Sequence, residues 1–227
     1  MKSLFYGLLI FTFAACSQTS DGTSDATTAP NDSTAASDTA PAAAPAAAEE
    51  KPASYYENKV AELHTTAGDI HIRFFPDAAP NHVRNFIDLA EKGFYNGTKF
   101  HRIIPGFMIQ GGDPNTIKGD PSLWGTGGAP TNIKAEFNDV KHKRGIVSMA
   151  RATDPDSASS QFFIMVGDAP QLDHQYSVFG RVTQGMDVAD KIVAGPAMGD
   201  RAADPVTITG ITIRDARPEE QGPAPVE

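Results

Sequence analysis

Apolar and polar residues alternate in two adjacent stretches of this chain with the period of two that a half-buried strand requires. Residues 60–66 and 69–75 do so on either side of Ala67-Gly68, which predicts a hairpin. Residues 145–150, 161–166, 177–182 and 206–214 are further β-rich runs, bounded by Gly, Pro or Asp. The period changes in two places. Over residues 80–92, Val83, Phe86, Ile87 and Ala90 fall at helical spacing; Pro80 suits the first helical position and Gly93 the stop. Around residues 186–193, Val188, Ala189, Ile192 and Val193 share one face, and Gly195-Pro196 ends the pattern. Many strands with two isolated helices predict a mainly β domain, a closed antiparallel barrel with helices over its ends.

The pattern fails at both ends of the chain. Residues 4–15, LFYGLLIFTFAA, form an apolar run too short to span a bilayer, after a start at Met1-Lys2 that carries one positive charge. Residues 1–15 therefore read as a signal peptide. The FAAC that closes the run is similar to a bacterial lipobox, which makes Cys16 the candidate lipidation site. The alternative is an ordinary secretory signal with an incidental cysteine. A lipidated Cys16 would tether the protein to a membrane surface, facing the periplasm of a bacterial envelope, without the polypeptide crossing it. Residues 16–52 contain no aromatic or large aliphatic side chain and cannot offset their ordering entropy by burial, so they read as a disordered tether. Residues 218–227 read as a disordered tail, leaving 53–217 as the folded domain.

Charge is distributed unevenly. The chain carries a net charge of −9, but residues 53–217 hold 17 Lys and Arg against 19 Asp and Glu. A nearly balanced domain argues against nucleic acid as a partner, because phosphate binding needs a basic surface. With a single cysteine, no internal disulfide can form.

The candidate chemistry lies in two segments, FHRIIPGFMIQGGD over 100–113 and SQFFI over 160–164. They combine a permanent cation, Arg102, with apolar side chains, two amides and a Gly-Gly turn. No thiol, acid pair or metal-ligand set dominates. Such parts suit an apolar pocket with a few donors, around a substrate in which no bond is broken. Both segments closely resemble the signatures of cyclophilins, the β-barrel peptidyl-prolyl isomerases, and the resemblance extends over about residues 58–215. It implies a closed eight-stranded antiparallel barrel capped by two helices, an isomerase of X-Pro peptide bonds that assists folding of secreted or envelope proteins, no cofactor and no metal.

Residue by residue, the resemblance implies that Arg102 is catalytic. A strand Arg paired with a carboxylate is the ordinary alternative. Phe107, Met108, Phe163 and Leu172 match the proline pocket, although such residues usually form core. Phe162 must point away from Phe163 if both lie in one strand. Gln110 and Gln161 match the amides that hold the substrate backbone and steady the arginine. Ala150 and Arg151 match positions where an extended peptide pairs with the protein; many relatives carry Asn at the second. The pocket rim, a Trp in many eukaryotic members, is Gln171 here, and Tyr176 replaces a rim histidine. The missing Trp implies weak cyclosporin binding. Trp124 is expected to pack its own Gly-rich loop. Unfolded or proline-containing polypeptides are the implied partners, and a monomer suffices. His64 and His71 sit on paired strands but lack a third zinc ligand. Two other functions fit the same pattern: a non-catalytic proline-peptide-binding chaperone module, or a barrel that carries small apolar ligands.

Overall fold

The computed structural model describes residues 51–220, so the signal, Cys16 and residues 16–50 of the tether lie outside the described residues. Strand β1 (Lys59–Thr65) and β2 (Gly68–Phe74) form the expected hairpin. The Thr65 hydroxyl accepts from the Ala67 amide and donates to the Gly68 carbonyl. Helix α1 (Pro80–Glu91) follows, with His82, Val83, Phe86, Ile87 and Ala90 buried. Its own N-cap residue, Ala79, has no capping side chain. The carboxylate of Glu136 does that work instead, accepting from the amides of Asn81 and His82 and from the His82 ring at 2.6 Å.

Then come β3 (Arg102–Ile104), β4 (Met108–Gly111), β5 (Ile146–Met149), β6 (Phe162–Met165) and β7 (Val178–Gln184). Helix α2 (Met186–Val193) starts at Gly185, whose φ of +89° and 2.2 Å clearance to the Asp69 carbonyl admit no side chain. Two-residue strands β8 (Ala197–Met198) and β9 (Arg201–Ala202) precede β10 (Ile208–Asp215). The sheet is antiparallel, in the order β10-β1-β2-β7-β5-β6-β4-β3-β9-β8.

Two expectations change here. The described strands number ten rather than eight, and the sheet has two ends instead of closing. The ends approach through an isolated bridge between Lys99 and Thr207, flanked by bonds from Phe100 to Val206, from Ile208 to Thr98 and from Gly97 to Ile208. Among the described residues the boundaries of the folded part also move outward. Lys51 pairs with Glu91 on α1. Pro218–Glu220 forms a 3-10 turn, because Glu220 accepts from the Arg214 guanidinium at 2.7 and 2.8 Å and from Arg217. Those contacts hold the Glu220 carboxyl far below its ordinary range.

The sheet separates two apolar clusters. Phe86 of α1 centres the larger one, with Tyr95, Phe74, Phe162 and Phe179 ring centroids 5.0–5.5 Å away. The smaller one holds Phe75, Met108, Ile146, Phe163, Met165 and Val178. Strand alternation decides membership. Ile103, Ile109, Phe162 and Ile164 face the first; Ile104, Met108, Phe163 and Met165 face the second.

Candidate active site

The outer face of the smaller cluster is open. It forms a cleft of about 510 Å³ whose lining includes Arg102, Phe107, Met108, Gln110, Phe163 and Tyr176. Ala150, Arg151 and Leu172 line it as well. Register explains the grouping. Arg102 on β3 is the direct partner of Gln110 on β4, and Gln110 is the direct partner of Phe163 on β6. Three side chains far apart in sequence thus stand in one row on one face.

The row is tied by hydrogen bonds. Arg102 Nη1 donates to Gln110 Oε1 at 3.4 Å, and Gln110 Nε2 donates to Gln161 Oε1 at 2.9 Å. Gln161 in turn donates to the carbonyls of Gly125 and Gly127 at 3.0 and 2.7 Å. Gln161 is therefore an anchor for the Gly-rich loop. It lines a neighbouring depression of about 310 Å³ and not the main cleft. Asp113 holds the same loop from beneath, accepting from the amides of Asn115 and Gly125. A side chain at Gly127 would come within 2.2 Å of that carboxylate, so the loop needs glycine there.

Arg102 has a second restraint that the sequence reading did not contain. Its Nε and Nη2 donate to Asp200 Oδ2 at 3.3 and 3.0 Å. Asp200 lies in the two-residue turn between β8 and β9. The ordinary alternative, an Arg paired with a carboxylate, is thus present together with the pocket. The guanidinium carries five N–H donors, of which Asp200 and Gln110 take three. The remaining donors belong to a side chain that is 42% exposed.

The apolar wall is fixed from behind. Phe163 meets Tyr176 edge-on at 5.6 Å and stacks on His142 at 6.2 Å. His142 sits between Asp173 Oδ1 at 3.1 Å and Ser148 Oγ at 3.0 Å. Burial lowers its pKa, and the Asp173 carboxylate only partly opposes that shift. His142, Ser148 and Asp173 resemble a nucleophile triad in composition, but His142 and Ser148 are buried under the wall. Nothing in the sequence pattern marked His142, since its carboxylate partner lies 31 residues away.

Arg151 and Ala150 are placed differently from each other. The Arg151 guanidinium lies 4.8 Å from the Tyr176 ring centre and donates to the carbonyls of Gln175, Ala152 and Thr153. It props the rim rather than reaching outward. The Ala150 amide is taken by the Gln161 carbonyl. Gln171 is exposed and does not line the cleft. Trp124, expected only to pack its loop, does line it, with Lys99 Nζ 5.3 Å from the ring centre. His64 binds Asp69 and Thr212, and His71 lies 4.0 Å from Glu62, so neither pairs with the other.

Comparison with known proteins covers the stretch that holds these segments. The family model described as cyclophilin type peptidyl-prolyl cis-trans isomerase/CLD matches residues 60–213. Peptidyl-prolyl cis-trans isomerase A of Dickeya dadantii is 47% identical over 135 residues, 57% of this chain and 68% of the relative. An Arabidopsis thaliana peptidyl-prolyl cis-trans isomerase is 42% identical over 161 residues, covering 66% of this chain and 93% of its own length. The crystal structure of a Cryptosporidium parvum cyclophilin, determined with the dipeptide Ala-Pro, aligns with a TM-score of 0.62 at 32% identity, over 69% of this chain and 99% of that one.

Proposed function

This chain belongs to the cyclophilin-type peptidyl-prolyl cis-trans isomerases, and we propose that Arg102 is the residue on which its catalysis turns. Rotation about a peptide bond is opposed by a barrier of about 18–20 kcal/mol, because the nitrogen lone pair is delocalised into the carbonyl. In the twisted bond the nitrogen regains that lone pair and accepts a hydrogen bond. Arg102 donates it, using an N–H that neither Asp200 nor Gln110 occupies. Phe107, Met108, Phe163, Leu172 and Tyr176 hold the proline ring, so that only the preceding segment turns. Gln110 and the backbone around Ala150 and Arg151 hold that segment, with Gln161 keeping the loop beside it in place. Each 1.36 kcal/mol of preference for the twisted form is a factor of ten in rate. No proton moves, which agrees with a cleft where the cation is permanent and His101 is kept neutral chiefly by burial.

The observation that carries the reading is the fixed row of Arg102, Gln110 and Phe163 across β3, β4 and β6. The test is the cis-to-trans relaxation of a short Ala-Pro peptide with the full chain, wild type beside Arg102→Ala. We expect acceleration by the wild type and a loss of about 10²–10³ in kcat in the variant, the usual effect of removing one transition-state donor. Full turnover in Arg102→Ala would overturn the role. A wild type that binds the peptide without accelerating it would favour the chaperone module.

The cellular role follows from the ends of the chain. The apolar run at 4–15 and Cys16 support a lipid-tethered protein of the bacterial envelope, acting on unfolded secreted polypeptides. Metabolic labelling with a fatty acid, lost in Cys16→Ser, is the expected result.

A further inference from the structure

The side of the cleft beyond Arg102 contains groups that isomerisation leaves unused. Arg201 on β9 is the direct antiparallel partner of Arg102, and both line the cleft. Direct partners project from the same face with Cβ atoms about 4.5–5.5 Å apart, so the two cations repel each other. Asp200 relieves only one of them, since its carboxylate is turned onto Nε and Nη2 of Arg102. Among the described residues Arg201 has no carboxylate within ion-pair distance. Asp120 feels its charge weakly; the Ser122 amide and hydroxyl do more to lower that carboxyl.

Trp124 and His101 add to the same side of the cleft. Trp124 Nε1–H, which can only donate, is buried and has no partner. His101 is 4% exposed, and its ring has no side-chain hydrogen-bond partner, only the Lys99 backbone nearby. Lys99 Nζ lies 5.3 Å from the centre of the Trp124 ring. Positive charge and donor capacity thus collect on a wall where the one carboxylate lining the cleft, Asp200, is turned onto Arg102, and buried unpaired donors are costly until a partner arrives.

We propose that this wall is a second subsite, which recognises the carboxylate of an aspartate or glutamate adjacent to the substrate proline, with Arg201 as its cation. The proposal rests on the isomerase reading above, because the proline fixes the register of the peptide. Consecutive Cα atoms are 3.8 Å apart, close to the spacing of the two arginines across the sheet. With the imide nitrogen at Arg102, the residue beside the proline falls next to Arg201. Arg201 is a specificity residue here and takes no part in rotation.

The test uses the full chain and peptides of one length carrying Glu, Ala or Lys immediately before or immediately after the proline. At one of the two positions we expect kcat/KM for Glu to exceed that for Lys by about tenfold, through KM and less at high salt. Arg201→Gln brings that ratio close to one, Arg201→Glu reverses it, and Arg201→Lys retains most of it. A ratio near one at both positions in the wild type overturns the subsite. So does a preference that survives Arg201→Gln. The Ala peptides separate the two readings: if none is accelerated the isomerase assignment fails, whereas accelerated Ala peptides without a Glu preference defeat the subsite alone.

Discussion

Phe162 and Phe163 are neighbours in sequence and belong to different parts of the molecule. Phe162 is fully buried against Phe86, Tyr95 and Phe100, under α1. Phe163 is nearly as buried, at 5% exposed, yet it forms a wall of the cleft and touches Tyr176 and His142. The first cluster has helices on its outer side and is closed. The second lies against substrate space on one side and a buried histidine on the other. Burial alone therefore does not distinguish a packing residue from a binding residue; what the far side of the cluster faces does.

Substituting each Phe in turn should separate the two clusters. Phe162→Ala leaves a closed apolar cavity, which costs about 3–5 kcal/mol. At about 2–4 °C per kcal/mol for a domain of this size, the melting point falls by about 10 °C. The surviving folded molecules should turn over the Ala-Pro peptide at close to the wild-type rate, measured well below the melting transition. A rate per folded molecule as low as that of Phe163→Ala would break the comparison.

Phe163→Ala opens a space that joins the cleft and fills with water, so its cost to stability is smaller, about 1–3 kcal/mol. It removes apolar contact with the proline in ground state and transition state alike, which raises KM by tenfold or more with less effect on kcat. Paired denaturant unfolding and initial rates decide between the two sites. An unchanged KM would remove Phe163 from the pocket.

The two clusters also differ in how readily the sequence revealed them. Helical spacing placed Val83, Phe86, Ile87 and Ala90 on the buried face, and both helices were located to within one residue. Period-two alternation found two strands, and β-rich composition between turn residues found four more. No strand was read over β3 and β4, three and four residues long, which lie inside the segment taken for its candidate chemistry. The pocket residues were legible only through resemblance, because Phe107, Met108 and Phe163 have the composition of core. Asp200, Arg201 and His142 carried no signal at all. Each has a charged partner in a segment at least 31 residues away, across loops whose path local pattern does not encode, although His142 also bonds Ser148 nearby. The same holds for Glu136, which caps α1 from 54 residues downstream.

The smallest expected effect is on pH dependence, and it again divides the clusters. Burial lowers the pKa of His142, behind Phe163, and of His101, beneath the Trp124–Gly125 loop. A histidine with a folded pKa below its unfolded value of about 6.5 binds more protons in the unfolded chain. Stability then rises with pH and is lost as pH falls through 6.5 toward the folded pKa. The carboxylates held low by their partners, Glu136 and Asp173 among them, lose their contribution only in a more acidic range. Between pH 7.5 and 5.5 the denaturation midpoint should therefore fall. His142→Gln should flatten that slope whatever it does to the absolute midpoint, because the titrating group is gone. Phe162→Ala should leave the slope as it is, since the larger cluster contributes neither histidine. A slope unchanged in His142→Gln would mean that this histidine binds protons alike in the folded and unfolded chain, and a steeper slope would mean that Asp173 holds the imidazole charged beneath the wall.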